Sequence, residues 1–449
     1  MKYENVKSLI LTILVLMSLW LTWNLWTYQP EREFVNNEGV ISDVEISQKL
    51  ERNQLVKPNL ILYHYEEEHH GAMDSSHITR FLDEFKNWSL YDIELMNSAS
   101  HRDFTSFLHG NRKMEVVFPA EIPLNTFRFM TNFSESDPPS VPISRIVIDF
   151  NNQIEGIDPS IYLVNYAEEE VYRAKVSSLS LYELERSFYQ TGRTFPSYLA
   201  VPAEEDRYLF LPALANEEEQ RHRKYHYFTD QLNPELFKDA LFSNPNIVAK
   251  DQTIDGEIYR DDSSLMRVHA QDSKLQYVNP GNSSGSGNSM DFNVIERGID
   301  FVNDHAGWTG PVENYRLDRW NRLSLGHTVH FRMYLGDLPI FNFDPDGTAE
   351  IKQIWNNNEI YEYERPTFEF GVLVTQESKQ LPSGNRVMQE LNRLKVDLSN
   401  VSNIRIGYEL RKDPSQEKIF ILDPVWLYQE GNFWTKINIT DNDDLEGGV

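Results

Sequence analysis

The feature that most constrains this 449-residue chain is an uncharged, mostly apolar run from Ser8 to Tyr28. As a helix rising about 1.5 Å per residue, it extends roughly 31 Å, close to the ~30 Å hydrocarbon core of a bilayer. The leader before it carries Lys2 and Lys7 against Glu4, whereas Glu31, Arg32, Glu33 and Glu38 follow it. A positive excess before the helix and none after it keeps the N-terminus cytoplasmic and puts the remaining 421 residues outside the membrane. Trp20, Trp23, Trp26 and Tyr28 gather at the outer end, where amphipathic rings favour the headgroup layer. The rival is a cleaved secretory signal, which needs a shorter apolar core and small residues at the cut. Leu19-Trp20-Leu21-Thr22-Trp23-Asn24 offers bulky rings instead. The expectation is an uncleaved, single-pass anchor.

At about 100° per residue, Ser8, Leu11, Thr12, Val15, Ser18, Leu19 and Thr22 share one face of this helix. Small and hydroxylated residues let a second helix approach closely in lipid, each polar contact contributing ~0.6–2 kcal/mol. The same hydroxyls can bond to their own backbone carbonyls. Both readings of the stripe stay open on sequence.

Without Lys2, Lys7 and Glu4, the external part holds 40 basic against 68 acidic residues, a net charge of −28. That surface repels nucleic acid and anionic lipid. Disorder is not implied, because 25 Phe, 22 Tyr and 9 Trp supply ample apolar area for several cores. Cysteine is absent, which removes disulfides, thiol catalysis and thiolate metal sites.

The coarse pattern predicts an α+β protein of three external domains: a leader (1–7), the membrane helix (8–28), then domains over 29–192, 193–288 and 289–440, and an acidic tail (441–449). In the first domain, strands are expected over residues 59–64, 90–96, 114–118 and 145–150, with a helix over 74–86. A hairpin joins 160–166 to 170–176, and a helix over 180–189 closes the unit. Asn233-Pro234-Glu235 is a capped helix start in the second. The third is a helix-plus-antiparallel-sheet module, led by an amphipathic helix over 291–305 that stops at Ala306-Gly307.

Motifs that carry chemistry fail one by one. Gly281-Asn282-Ser283-Ser284-Gly285 fits the serine-hydrolase elbow, but lies in a loose Gly/Ser tract after Pro280. Tyr63 to His70 concentrates His64, Glu66, Glu67, Glu68, His69 and His70, with His77 nearby; directly after a strand, the expected structure is a solvated loop. Asn342, Asp344, Asp346, Gly347 and Glu350 imitate a calcium loop, yet the twelfth position is Gln353 rather than Glu, so an Asp-Gly turn is simpler. No Walker A or dinucleotide fingerprint occurs. No catalytic residue, cofactor or metal is expected. The alternative is a metal-dependent envelope enzyme or calcium-dependent wall-binding protein, using the His/Glu cluster or Asn342, Asp344 and Asp346.

The segment Leu21 to Pro30, with Tyr277-Val278-Asn279-Pro280, Phe301 to Trp308, Tyr334 to Phe341, Tyr361 to Thr367 and Ile406 to Leu410, resembles the YycH family of Gram-positive bacteria. The pieces recur in order along nearly the whole chain. The resemblance implies a type II membrane protein with three extracytoplasmic domains and no catalytic residues. It further implies a complex with the companion YycI on the WalK sensor histidine kinase, adjusting the two-component system that controls cell-wall metabolism. The family's transmembrane helix is the implied contact to the kinase, which fits the Ser/Thr-lined face.

Overall fold

The leading run folds as one helix, Lys2–Thr27. Leu11, Val15, Leu19, Trp20 and Trp23 on it are each more than half exposed, so the protein itself does not cover this apolar surface. The computed structural model describes residues 2–27, 49–96, 104–135, 138–151, 158–204, 207–271, 273–283, 293–310, 312–323, 326–343, 348–356 and 359–439. Side chains on the leading helix are described for Lys7, Leu11 and residues 13–23. Among the residues whose side chains are described, no helix is long and apolar enough to cross a membrane.

The first sheet has ten strands: β1 (Leu60–Tyr65), β2 (Glu68–Ala72), β3 (Ser89–Leu95), β4 (Lys113–Pro123), β5 (Asn132–Phe133), β6 (Pro142–Asp149), β7 (Ser160–Asn165), β8 (Glu170–Ser177), β9 (Ser197–Glu204) and β10 (Arg207–Pro212). Their order is β10-β9-β2-β1-β4-β6-β7-β8-β3-β5, antiparallel except where β3 meets β5. The expected hairpin is β7–β8, closing at Asn165 opposite Glu170. The helix expected over 74–86 is Ser75–Phe85, where the Asp74 side chain caps the backbone N–H of His77 at 2.9 Å. Its buried face, Ile78, Phe81 and Phe85, packs with Trp88 against the sheet. Burying each Phe there stabilises by about 1.5–3 kcal/mol.

Two features depart from the sequence reading. Tyr63 to His70 is not a solvated loop: β1 and β2 form a tight hairpin that pairs His64 with His69 and leaves His64 fully buried. Strands β9 and β10 lie beyond residue 192, yet they join this first sheet through β2. Strand β9 pairs with β2 in the register His69 to Tyr198 and His70 to Ser197, a long-range pairing with no local signature, and β10 follows by pairing with β9.

The second sheet has fourteen strands and runs from Arg221 to Lys436. The short strand Leu338–Phe341 links its two parts, pairing with Gly326–Leu335 on one side and, in parallel, with Val401–Asp413 on the other. Strand Lys274–Val278 pairs directly with Glu359–Pro366, so the division expected at 288/289 has no counterpart in the strand pairing. Helix Pro234–Leu241 starts as expected, its Asn233 cap accepting from Glu235 N at 3.1 Å. The amphipathic helix is Val294–Asp304; it buries Val294, Ile295, Ile299 and Val302 and ends where Ala306 and Gly307 take positive φ. Helix Gly384–Arg393 caps a smaller core with Leu391, Ile404 and Trp426.

The segment that follows the leading helix docks onto the second sheet's layer, not only onto the first. Leu50 N donates to Asn303 Oδ1 and Asn303 Nδ2 donates to Leu50 O, each at 3.0 Å. Arg52 pairs with Glu296 and, at 2.9 Å, with Asp300 on the same helix. Arg316 Nη2 then reaches Ser75 Oγ at 3.0 Å, tying the two sheets together.

Candidate functional site

Two places could carry function: the leading helix and a polar cluster buried in the first sheet. On the helix, the Thr22 hydroxyl donates to the Ser18 backbone carbonyl at 2.8 Å, so this hydroxyl of the expected face is satisfied within its own helix. Leu11, Val15, Ser18, Leu19 and Thr22 are exposed, as are Trp20 and Trp23. The side chains of Ser8, Thr12 and Trp26, and Tyr28 as a whole, lie outside the described residues.

The buried cluster forms around Glu115, which β4 carries into the core with no exposure. Glu115 Oε1 lies 2.8 Å from His64 Nε2 and also takes His109 Nδ1, while its Oε2 accepts from Arg145 Nη1 at 2.7 Å. An ionised carboxylate only accepts, so both imidazoles donate to it. The other nitrogen of His64, Nδ1, meets His69 Nδ1 at 2.7 Å, one ring donating to the other. On the far side, His109 Nε2 meets the Tyr166 hydroxyl at 3.2 Å, and the Arg145 guanidinium stacks 3.5 Å above the Tyr166 ring.

Burial pulls the Glu115 carboxyl upward, but His109 and Arg145, with hydrogen bonds from His109 and His64, outweigh it and hold it well below the usual carboxylate range. Burial, reinforced by repulsion from His64 and His109, pushes His69 down to about 4. Burial likewise lowers His109, with Glu115 offsetting only part of the effect. His69 and His109 are therefore neutral at pH 7, and the Glu115–Arg145 pair is the charged heart of the cluster. Such a pair is costly to desolvate, but here both carboxylate oxygens of Glu115 are hydrogen-bonded, which favours one arrangement of the surrounding strands.

His64, His109 and Glu115 bring three ligand atoms within 4.8 Å of one another, a donor set of the kind zinc takes. Each of those atoms is already engaged in the hydrogen bonds above, and Arg145 stands against the carboxylate where a dication would add like charge. The arrangement serves as a structural network. The hydroxyl beside His109 is the phenol of Tyr166, which is held by the Tyr208 backbone, donating to its O at 3.1 Å and accepting from its N at 2.9 Å; among the described residues no serine, threonine or thiol bonds to these imidazoles.

The calcium-like stretch fares no better. Asp344, Asp346 and Gly347 lie outside the described residues. Glu350, its ninth position, is bound by Arg319 at 3.1 Å and Arg332 at 3.0 Å. Burial alone would raise Glu350; Arg332, His330 and Arg319 reverse that and lower it. Gln353 points inward, donating to Gly298 O at 3.0 Å and accepting from Trp355 Nε1 at 3.0 Å.

A leading helix, two large antiparallel sheets clamped to each other and a polar cluster saturated by its own hydrogen bonds define a sheet-rich α+β protein with a structural rather than reactive interior. Two family models match the chain. The one described as YycH protein, N-terminal domain, covers residues 4–191, and the one described as YycH protein, C-terminal domain, covers residues 209–444. The chain belongs to the YycH family. It is 23% identical over 443 residues to the two-component system WalR/WalK regulatory protein YycH of Bacillus subtilis (strain 168), covering 95% of this chain and 94% of that one. That relative is named as a regulatory protein, not as an enzyme. The crystal structure of YycH from Bacillus subtilis shares the fold, with a TM-score of 0.71 at 19% identity over 87% of this chain and 98% of that chain.

Several residues of this cluster escaped the sequence. His109, Glu115, Arg145 and Tyr166 join His64 from up to about a hundred positions away. A signal was present: His64 is the lone histidine of the apolar strand Leu-Ile-Leu-Tyr-His-Tyr, and Glu115 interrupts the apolar run Met-Glu-Val-Val-Phe within β4.

Proposed function

We propose that this chain is a membrane-anchored accessory regulator of a WalK-type sensor histidine kinase, working with a YycI-like companion to modulate cell-wall signalling. The observation that carries this reading is the near full-length match to a WalR/WalK regulatory protein. The sequence supports the anchor: Ser8 to Tyr28 holds no charge, and the helix Lys2–Thr27 has 26 residues, about 39 Å at 1.5 Å each. An apolar helix left exposed by its own protein calls for lipid or another helix around it. The rings of Trp20, Trp23, Trp26 and Tyr28 then sit at the outer interface, with the domains beyond it serving as docking bodies.

In this mechanism the anchor face, Ser8, Leu11, Thr12, Val15, Ser18, Leu19 and Thr22, contacts the kinase's membrane helices. It must bind one kinase state better than the other, or it shifts nothing. Two polar contacts of ~0.6–2 kcal/mol made in one state alone suffice for a roughly tenfold shift. The test is a pull-down from membranes in mild detergent with the full chain and with a chain lacking residues 8–28. Recovery of kinase and companion with the full chain, and loss of the kinase without the helix, is the expected result; equal recovery of the kinase would overturn the reading.

A further inference from the structure

A cleft of about 340 Å³ opens between the two sheets, walled by β1, β4, β6, β9 and β10 on one side and by strands Glu313–Leu323, Val401–Asp413 and Gln416–Glu430 on the other. Its chemistry is unlike the rest of the molecule. The chain carries a net charge of −27, yet Arg145, Arg207, Arg319 and Arg405 line this cleft against only Glu121 and Asp318.

Counting partners isolates one of those cations. Arg145 is neutralised by Glu115 at 2.7 Å, and Arg319 by Asp318 and Glu350 at 3.0 and 3.1 Å. Arg207 gives Nη2 to Ser399 O at 2.5 Å, and its Nε makes no hydrogen bond. Arg405 is 7% exposed and has neither a hydrogen bond nor a carboxylate partner among the described residues. A guanidinium has five donors and never gives up its charge, so burying it without an acceptor is unfavourable unless something supplies one. The acid nearest in kind does not: burial, with Glu168 adding repulsion, raises the Glu121 carboxyl towards its neutral form.

A second orphan points the same way. Asn59, also 7% exposed, lines the cleft with its Oδ1 lacking any donor. Its own backbone N–H is fixed on Val117 O at 3.0 Å, so the residue's place at the start of β1 is set by the sheet. One wall thus presents an unanswered acceptor and the other an unanswered cationic fork. The ring of Tyr198 also lines the cleft.

We infer that this cleft binds a small organic anion, with a carboxylate or phosphate group on Arg405 and a hydrogen-bond donor of the same molecule on Asn59. The two groups would be bridged from different sheets, so the ligand also bears on how the sheets are held together. This inference does not depend on the anchor or on the kinase.

The test uses the full-length protein in detergent micelles and titrates N-acetylalanine, phenyl phosphate and the neutral N-acetylalaninamide by calorimetry. Saturable binding of N-acetylalanine assigns the site to carboxylates, and of phenyl phosphate to phosphate monoesters; either supports the inference, provided the neutral amide does not bind. Arg405→Gln should weaken the bound probe roughly ten- to hundredfold, the usual cost of a lost charged hydrogen bond. Asn59→Leu should weaken N-acetylalanine, which carries an N–H. Because Arg405 has no partner to lose, Arg405→Gln should leave the Tm of the ligand-free protein unchanged or higher. Failure of both anions to saturate, equal binding to Arg405→Gln, or a Tm several degrees lower in that variant would each overturn the assignment.

Discussion

Asn303 and Leu50 close a two-bond ring: the Leu50 N–H donates to Asn303 Oδ1 and the Asn303 amide donates back to Leu50 O, both at 3.0 Å. The same Oδ1 accepts from Trp308 Nε1 at 2.8 Å. One side chain therefore pins the segment that follows the leading helix to a buried tryptophan of the second sheet's layer.

Asn303→Ala removes all three bonds and leaves Trp308 Nε1 without its acceptor, a loss of about 1–3 kcal/mol. Hydrogen exchange should show residues 50–55 losing protection, while β6 and β7 keep theirs. Unchanged protection at 50–55 would contradict the clamp.

Glu115→Gln leaves Arg145 buried beside a neutral amide. Removing one partner of a buried pair costs about 3–5 kcal/mol, so chemical denaturation should show a large loss of stability. Glu115→Gln with Arg145→Met should recover part of it, since neither charge is then stranded.

The pH dependence follows from the same cluster. His69 and His77 both fall to about 4 in the folded protein, from 6.5 when free, burial being the first cause for each. A depressed histidine means the unfolded chain binds more protons below pH 6.5, so stability is full above that value and declines towards about pH 4. The lowered Glu115 carboxyl acts in the same sense in the acid range: its contribution is present above its unfolded value and is lost as pH falls towards its folded one. The Tm should be flat from pH 7 to 8 and drop steadily below 6.5; a flat Tm down to pH 4.5 would refute this.

Excess zinc or calcium should leave the Tm unchanged. Arg145 stands against Glu115, and Arg319 and Arg332 already hold Glu350. A metal-dependent rise in Tm at stoichiometric metal would revive the metal-site alternative.

Much of the local structure was legible in the sequence, because alternation and caps are local signals. The β7–β8 hairpin, the Asn233 cap and the helix at Val294–Asp304 all follow from residues within a few positions of one another. What escaped depends on distant partners. Phe368–Gln380 is a thirteen-residue strand that buries Phe368 and Phe370 but leaves Val372, Leu373 and Val374 exposed, so its alternation of buried and exposed positions stops after the first few residues. The burial of His64 is explained only by Glu115, Arg145 and His69 together, and a histidine-rich stretch gives no warning of that. The cleft is harder still: Arg405 and Asn59 acquire meaning only once two sheets face each other.

The claim that the leading helix is the working contact to the kinase is tested most directly by exchange. Residues 8–28 are replaced with an unrelated apolar helix of equal length, and autophosphorylation of the WalK-type kinase is measured in co-reconstituted vesicles. The account predicts that the exchanged protein remains in the membrane, still captures its companion and no longer changes the kinase rate. A full regulatory effect from the exchanged helix would contradict it.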